Sequence, residues 1–355
     1  MIGLAQLLRQ YQPDLRSQCP MEDRHHWALQ NIIDCHSSAC GEILFRCRDC
    51  HQDQHAYHSC GHRSCPSCQH QANNLWLDRQ RQKLLPVEYY MVTFTLPSQL
   101  RGFVWHHQRW AYQALFECAV DTLMSFGHRD KQLQGNLGLT GVLHTHSRRL
   151  EFHPHVHFIV PNGGLSRDKH RWQQKHGKYL FNGKALAKVF RAKFLETMKL
   201  YGFNVPKHTP RTWIVQCQHV GKGEAALTYL ARYLYRGVIN EQNILKHENG
   251  QITFRYKESN TKQWMTITEP AVQFLWRVLQ HVLPKGFRRT RDYGFLHGNA
   301  HKTLKRLQLI LRVKLPEQTT AQRKKIERLC PCCGHPMRVI PFVKVRQTSR
   351  LRTIN

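Results

Sequence analysis

Three histidines alternate along residues 152–161, in the sequence FHPHVHFIVP. Residues two apart on a β-strand point to the same face, so His153, His155 and His157 would share one face. Imidazoles spaced in this way lie about 7 Å apart, close enough to bind one divalent ion. We therefore predict a metal site formed by His155 and His157. A further ligand would come from His153 or from His144, which lies on the preceding predicted strand.

The ligand set leaves the identity of the metal open. Histidine alone suits zinc, whereas sites with open positions also hold Mg²⁺ or Mn²⁺ when phosphate oxygens complete the coordination. The alternative interpretation is that the three histidines form the solvent-facing side of an amphipathic strand. Three in alternation favour metal binding.

Tyr229 and Tyr233 stand four residues apart in the sequence TYLARYLYR, on one face of a helix that we predict over residues 224–236. Arg232 and Arg236 flank them and are predicted to contact DNA. Tyrosines at helical spacing usually pack in a core. Beside a histidine metal site in a basic chain, they indicate metal-assisted phosphodiester transfer through a phosphotyrosine. The phenol pKa of about 10 makes tyrosine a poor nucleophile, so a metal and nearby cations must assist it.

Two CxxC motifs occur in the first part of the chain, Cys47–Cys50 and Cys65–Cys68, with 14 residues between them. Each motif presents two thiolates from a tight turn, and a tetrahedral zinc site needs four. We predict one structural zinc bound by these four cysteines. Disulfides fit less well, because each pair of adjacent cysteines suits one metal better than two bridges.

Other cysteines suggest additional metal binding. Cys35 and Cys60, together with a nearby histidine, predict a second zinc site, although buried free thiols are the alternative. Cys330 and Cys333 form a half-site that needs donors from another part of the chain. Closed four-ligand zinc sites are structural, so these cysteines are expected to support folding rather than catalysis.

The elements that must position these residues alternate irregularly, which predicts an α+β fold. The predicted strands cover residues 88–96, 139–146, 152–161 and 212–218, and a hairpin covers 252–256 and 264–267. Helices are predicted over residues 104–126 and 184–201 and from residue 269 onward.

Composition indicates a polyanionic partner. The chain has 355 residues, 41% of them hydrophobic, and a formal net charge of +30. Such a charge favours binding to nucleic acid through its phosphates. No apolar run approaches the ~20 residues needed to cross a bilayer, which excludes an integral membrane protein. We expect a cytoplasmic, nucleoid-associated protein.

Charge also suggests three domains. Residues 1–87 carry a net charge of +1, residues 88–284 carry +14, and residues 285–355 carry +15. We predict a zinc-binding domain, a catalytic domain and a basic, mostly helical DNA-binding region, in that order. In the last region Arg288 and Arg289 are predicted to contact DNA.

Five segments together resemble one family. His155-Val156-His157 is similar to the signature of the HUH endonucleases. Longer segments resemble the two-tyrosine rolling-circle transposases of the insertion-sequence-ninety-one-like family, in the order in which that family carries them. These are SCGHRSCPSCQ (59–69), HPHVHFIVPNGGLS (153–166), YLARYL (229–234), DYGFLHGN (292–299) and CPCCGHPM (330–337).

The resemblance implies a five-stranded antiparallel HUH-type sheet with flanking helices, preceded by a small zinc-binding domain. It implies an enzyme that nicks and rejoins single-stranded DNA at transposon ends. His155 and His157 would hold Mg²⁺ or Mn²⁺, and Tyr229 and Tyr233 would attack phosphates in alternation to form 5′-phosphotyrosine bonds. Two other functions stay open: an HUH replication initiator or relaxase, and a non-enzymatic zinc-dependent regulator that binds nucleic acid.

Overall fold

The computed structural model describes residues 2–168, 170–177, 179–225, 227–228, 238–258, 261–313 and 328–340. The α-helices that lie wholly within these ranges are α1 Leu4–Gln18, α2 Asp23–Asp34, α3 Gln69–Arg81, α4 Arg101–His106, α5 Gln108–Arg129, α6 Gly183–Leu200, α7 Ala271–Leu279 and α8 His301–Ile310.

The strands in the same ranges form four sheets. They are β1 Glu42–Cys47, β2 Asp53–Tyr57, β3 Glu88–Thr95, β4 Gly135–Asn136, β5 Gly138–His146, β6 Phe152–Pro161, β7 Gly164–Ser166, β8 Trp172–Gln173, β9 Ile214–Lys222, β10 Ile244–Glu248, β11 Gln251–Lys257, β12 Trp264–Pro270, β13 Thr290–Gly294 and β14 Met337–Ile340. The prediction of an α+β fold is confirmed.

The central sheet has five strands in the order β13-β5-β6-β3-β9, and every neighbouring pair is antiparallel. Its strands are rich in β-branched and aromatic residues, which suit a pleated surface. Strand β6 has the bounds predicted from the sequence. Strand β9 begins two residues later than predicted and extends to Lys222. The predicted five-stranded antiparallel sheet is therefore present.

Helices α5 and α6 pack on one face of the central sheet. The core between them is aromatic: Phe94 and Phe158 from the sheet meet Phe116 from α5 and Phe190 from α6, all fully buried. The Phe94 ring lies 6.1 Å from Phe158 and 4.9 Å from Phe190 between centroids, both edge-on. Because Phe158 points into this core, the histidines that alternate with it on β6 point to the opposite face.

The opposite face of the sheet is divided along β6. Toward the C-terminal end of β6 it is apolar, where Met91 and Ile159 pack with Phe295. Toward the N-terminal end it carries the histidines. One half of this face is therefore a buried apolar contact, and the other half carries polar side chains.

The N-terminal helices α1 and α2 pack against elements that are distant from them in the sequence. Leu8 from α1 and Leu29 from α2 share a core with Phe274 from α7, and Phe254 from the β10-β11-β12 sheet joins them. A third sheet, β14-β1-β2, brings residues 337–340 beside residues 42–47.

These contacts cross the predicted domain boundaries. Residues 1–87 and 88–284 do not pack as separate units, because α1 and α2 share a core with α7. Residues 285–355 do not form a separate region either, because β13 is an edge strand of the central sheet and β14 pairs with β1. In the described part of this last region, helix α8 is accompanied by the strands β13 and β14. None of the helices described is long and apolar enough to span a membrane.

Candidate metal centre and zinc clusters

Three histidines from two adjacent strands converge on the polar half of the sheet face. His144 lies on β5, and His155 and His157 lie on β6; one ring nitrogen of each falls within 4.8 Å of the others. Strand pairing brings them together, because His144 is the register partner of His155 across β5 and β6. His157 is two residues further along β6 and therefore shares the face.

Hydrogen bonds fix the orientation of two of these rings. The Nδ1–H of His155 donates to the backbone carbonyl of His153 over 2.6 Å, and Nδ1 of His157 lies 2.8 Å from the hydroxyl of Thr93. Both bonds use Nδ1, so Nε2 would be the coordinating nitrogen of each ring in a metal complex. Contacts of this kind set the tautomer of a ligating histidine.

The structure distinguishes the two candidates for a third ligand. His153 does not join the group: its Nδ1 accepts a hydrogen bond from Nη2 of Arg101 over 3.1 Å. His144 does join it, with ring centroids 5.3 Å from His155 and 4.7 Å from His157. The geometry therefore favours His144 over His153.

Burial keeps the three rings neutral. It lowers the pKa of His155 to about 4 and holds the pKa values of His144 and His157 well below the usual range for histidine. The guanidinium of Arg289 lowers all three further. Because only a neutral imidazole can coordinate a metal, these rings are ready to bind one near pH 7.

Two further histidines, the partly accessible His146 and the buried His281, extend the group and were missed by the sequence analysis. The ring of His146 stacks on His144 with centroids 6.0 Å apart, and lies 5.0 Å from His281. The Nε2–H of His281 donates to the carbonyl of Leu150, and its Nδ1 lies 3.1 Å from the Thr145 hydroxyl. His146 was detectable from its i, i+2 spacing to His144. His281 carries no comparable signal, because it follows α7 in a different part of the sequence.

The first cysteine cluster lies where α2 ends. Cys35, Cys60, Cys65 and Cys68 place their sulfurs within 4.8 Å of one another. The sulfur of Cys68 is 3.5 Å from those of Cys35 and Cys60. Sulfurs of a tetrahedral zinc site with bonds of about 2.3 Å lie about 3.8 Å apart, so the arrangement fits one zinc ion.

The second cysteine cluster joins the two ends of the chain. Cys47 and Cys50 meet Cys330 and Cys333, with sulfur–sulfur distances of 3.5 Å for Cys47–Cys333 and Cys50–Cys330. The backbone N–H groups of Cys50 and Asp49 point at the Cys47 sulfur and lower the pKa of this thiol to about 6. A thiolate stabilised in this way is a ready zinc ligand.

The cysteine geometry corrects the predicted grouping. The sequence analysis assigned Cys47, Cys50, Cys65 and Cys68 to one zinc site, but the structure places the two motifs in different clusters. Short sequence separation suggested one site, whereas the pairing of β1 with β14 brings Cys330 and Cys333 to the first motif. Cys35 and Cys60 lie in a second cluster, in which Cys65 and Cys68, and no histidine among the described residues, are the other members.

The first cysteine cluster is tied to the segment that precedes β13. Arg63, between Cys60 and Cys65, donates to the carbonyls of Leu283, Pro284 and Phe287 over 2.6–2.8 Å. Two residues further on, Arg289 exchanges backbone and side-chain hydrogen bonds with Leu143 of β5. The zinc-binding loop thus holds the chain that places Arg289 beside the histidines.

The remaining predicted residues are distributed as follows. Tyr229, Tyr233, Arg232 and Arg236 lie outside the described residues. Arg288 is exposed, whereas Arg289 is only partly accessible. Burial lowers the pKa of Arg289 to about 10, so it stays cationic near the histidines.

Two family models match the chain. Residues 7–96 match the model described as "Transposase zinc-binding domain", and residues 138–304 match the model described as "Putative transposase". The second match includes β5, β6 and β13, and therefore all three clustered histidines. The chain is thus similar to transposases in two separate segments, one of which matches a transposase zinc-binding domain.

Two curated proteins similar to this chain are also transposases by name. "Putative transposase y4qJ" of Sinorhizobium fredii is 29% identical over 95% of the chain and 92% of the relative. The "Transposase for insertion sequence element IS801" of Pseudomonas savastanoi pv. phaseolicola is 29% identical over 74% of the chain. The chain spans 65% of that second protein, less than two thirds of its length. No solved structure matches the chain.

Proposed function

We propose that the protein is a DNA transposase that nicks and rejoins single-stranded DNA at the ends of a transposable element. The observation that carries the proposal is the cluster of His144, His155 and His157 on an antiparallel sheet, inside the segment that matches the transposase model. The reaction would be of the HUH type and would proceed by rolling-circle transposition.

The histidine cluster suits a divalent ion with open coordination positions. Its three nitrogen donors favour Mn²⁺ over Mg²⁺, since Mg²⁺ prefers oxygen ligands. When bound, the ion would polarise the scissile phosphate and stabilise the charge that develops on it. The hydroxyl of Thr93 and the carbonyl of His153 would keep two ligand rings aligned.

Tyr229 and Tyr233 are the proposed nucleophiles. The phenolate oxygen of one tyrosine attacks phosphorus, the bond from phosphorus to the 3′ oxygen breaks, and that oxygen leaves as a 3′-hydroxyl after taking up a proton. The 5′ phosphate stays on the tyrosine as a diester. Attack by a 3′-hydroxyl on this diester reverses the step and rejoins a strand, so no external energy source is needed.

Fixed positive charge supports this step. Arg289 stays protonated in its buried position, and the pKa values of the clustered histidines are low enough that they add no charge of their own. A cation held near the scissile phosphate offsets the charge of the attacking phenolate, and it does so most strongly where water is excluded. Arg232 and Arg236 are proposed to contact the same strand.

The two cysteine clusters are proposed to bind structural zinc ions. The matched zinc-binding domain and the four-sulfur geometry support structural Zn²⁺ in this chain. Zinc in the first cluster would hold the loop that carries Arg63, and zinc in the second would hold β14 against β1.

A covalent-adduct assay tests the proposed function. Protein is mixed with Mn²⁺ or Mg²⁺ and a single-stranded transposon-end oligonucleotide labelled at its 3′ end, and denaturing gels show labelled protein. We expect a metal-dependent adduct that the Tyr229→Phe/Tyr233→Phe double variant does not form. Absence of an adduct with the wild-type protein, or an undiminished adduct with the double variant, would refute the proposal. Stable binding without cleavage would point to a regulator.

A further inference from the structure

A cleft with aromatic and basic lining residues lies at the edge of the central sheet. This open cleft of about 1360 Å³ separates the start of α5 from residues 284–299. Trp105, Trp110 and Phe287 provide apolar surface along it, and both tryptophans are partly accessible. None of the clustered histidines lines this cleft.

The wall of the cleft contains a buried amide. Gln108, the first residue of α5, lines the cleft and is only 4% exposed. Neither its Nε2 nor its Oε1 has a hydrogen-bond partner among the described residues. One turn further along α5, the hydroxyl of the fully buried Tyr112 also has no partner in the described part of the chain. Unsatisfied buried polar groups destabilise a protein, so a ligand that bonded to the Gln108 amide would remove this cost.

Positive charge predominates around the cleft. Two acidic residues that line it are neutralised by neighbours: Glu22 pairs with Arg24 over 2.8 Å, and Asp292 pairs with Lys83 over 2.6 Å. Glu117 is exposed and accepts a hydrogen bond from Gln113.

Three further arginines line the cleft, against one carboxylate, Glu117, for which the described residues provide no ion pair. Arg109 and Arg288 are exposed at the cleft, and the Nη2 group of Arg109 donates to the carbonyl of Lys285. The guanidinium of Arg291 lies 4.8 Å from the ring centroid of Phe287, stacked on an aromatic wall of the cleft. Exposed guanidinium groups beside a partly apolar cleft suit a phosphate attached to a planar base.

We propose that this cleft binds one adenine nucleotide of the single-stranded DNA substrate. The amide of Gln108 would donate to N7 and accept from the N6 amino group of the base, a pairing that distinguishes adenine from the other bases. Arg288 would contact an adjacent phosphate. The inference rests on the proposed function, since it takes single-stranded DNA as the substrate, and it assigns to this cleft a part in choosing the sequence.

Binding measurements test this proposal without requiring cleavage. The affinities of the full chain for single-stranded oligo-dA and oligo-dT are measured by fluorescence anisotropy with no added divalent ion. We expect the wild-type protein to prefer oligo-dA by about 10-fold, the effect of one bidentate base contact. We expect Gln108→Met to lose this preference while melting at the same or a higher temperature, because methionine leaves no unsatisfied amide.

The matched control is Gln12→Met on α1. Gln12 also has a buried oxygen without a partner among the described residues, but it does not line the cleft. It should keep the dA preference. Equal affinity of the wild-type protein for oligo-dA and oligo-dT, or an unchanged preference in Gln108→Met, would overturn the proposal. Competition by free dAMP as strong as by oligo-dA would overturn the assignment to a DNA strand.

A second variant covers the case in which Gln108→Met does not fold. Arg288→Gln changes an exposed side chain and should weaken binding to both oligonucleotides. The slope of log affinity against log salt concentration should decrease in magnitude by about one. Arg16→Gln, on the exposed side of α1, is its control and should have little effect. Equal effects of the two variants would argue against the cleft. Failure of the covalent adduct with dA preference intact would refute the proposed nuclease and not this site.

Discussion

His144 on β5 lies directly opposite His155 on β6, and their ring centroids are 5.3 Å apart. A strand register that slipped by one residue would turn one of the rings to the other face of the sheet. The metal centre therefore depends on the pairing of β5 with β6 and not on the His155–His157 motif alone. This relationship leads to the first prediction.

Replacing His144 should impair metal binding more than replacing His153. We expect His144→Asn to reduce Mn²⁺-dependent adduct formation by at least about 100-fold, since a ligand is lost, with an accompanying rise in the Mn²⁺ concentration needed. His153→Asn is the matched control, because its ring accepts a hydrogen bond from Arg101 instead of joining the cluster. Titration of activity with Mn²⁺ measures both. Equal loss in the two variants would contradict the proposed ligand set.

Zinc content should follow the two clusters. We expect the wild-type protein to bind two zinc ions, and both Cys35→Ser/Cys60→Ser and Cys330→Ser/Cys333→Ser to bind one. Cys332→Ser is the control, because this exposed cysteine belongs to neither cluster. Elemental analysis of purified protein gives the stoichiometry. Full zinc content after loss of Cys330 and Cys333 would instead support the zinc site of Cys47, Cys50, Cys65 and Cys68 that was predicted from the sequence.

A glycine at the end of β13 should be intolerant of a side chain. Gly294 has φ +60°, and a Cβ there would lie 1.7 Å from the carbonyl oxygen of Leu137. We expect Gly294→Ala to lower the free energy of unfolding by about 2–4 kcal/mol, through the clash and the left-handed backbone. Gly298→Ala should change it little, because no atom lies within 4 Å of its Cβ position. Denaturant unfolding compares them, and equal stability would contradict the β13 geometry.

Acid should destabilise the protein through His281. Burial lowers the pKa of His281 to about 4, against about 6.5 in the unfolded chain. The unfolded state therefore binds a proton first, so stability is complete above pH 6.5 and falls as pH decreases toward 4. Between pH 6.5 and 4, one such group lowers the free energy of unfolding by up to about 1.4 kcal/mol for each unit by which the pH falls.

The variant His281→Gln should flatten this dependence. Melting temperatures measured from pH 7.5 to 5.5 should decrease less steeply than in the wild-type protein, although the variant loses two hydrogen bonds at every pH. His301→Gln removes an exposed histidine and should leave the dependence unchanged. A variant as acid-sensitive as the wild-type protein would show that His281 is not buried in its neutral form.

The local pattern predicted the strands well and their partners poorly. The alternation in residues 152–161 predicted β6 and the face that its histidines occupy, because side chains on a strand alternate whatever the partner strand is. That same rule could not choose between His144 and His153 as third ligand. The choice depends on which residue of β5 lies opposite His155, and strand register is a long-range property.

By itself, the sequence determined the resemblance to transposases, the α+β class, the histidine motif and the CxxC motifs, because each of these depends on local residue spacing. Only the tertiary structure decided how the motifs combine. Pairing of β1 with β14 brings together cysteines 280 or more residues apart, and α1 and α2 share a core with α7 across the predicted domain boundary. The fold also distinguishes two arginines that are adjacent in the sequence, because Arg288 is exposed and Arg289 is only partly accessible. Such contacts arise from chain topology and shared cores, which neighbouring residues do not encode.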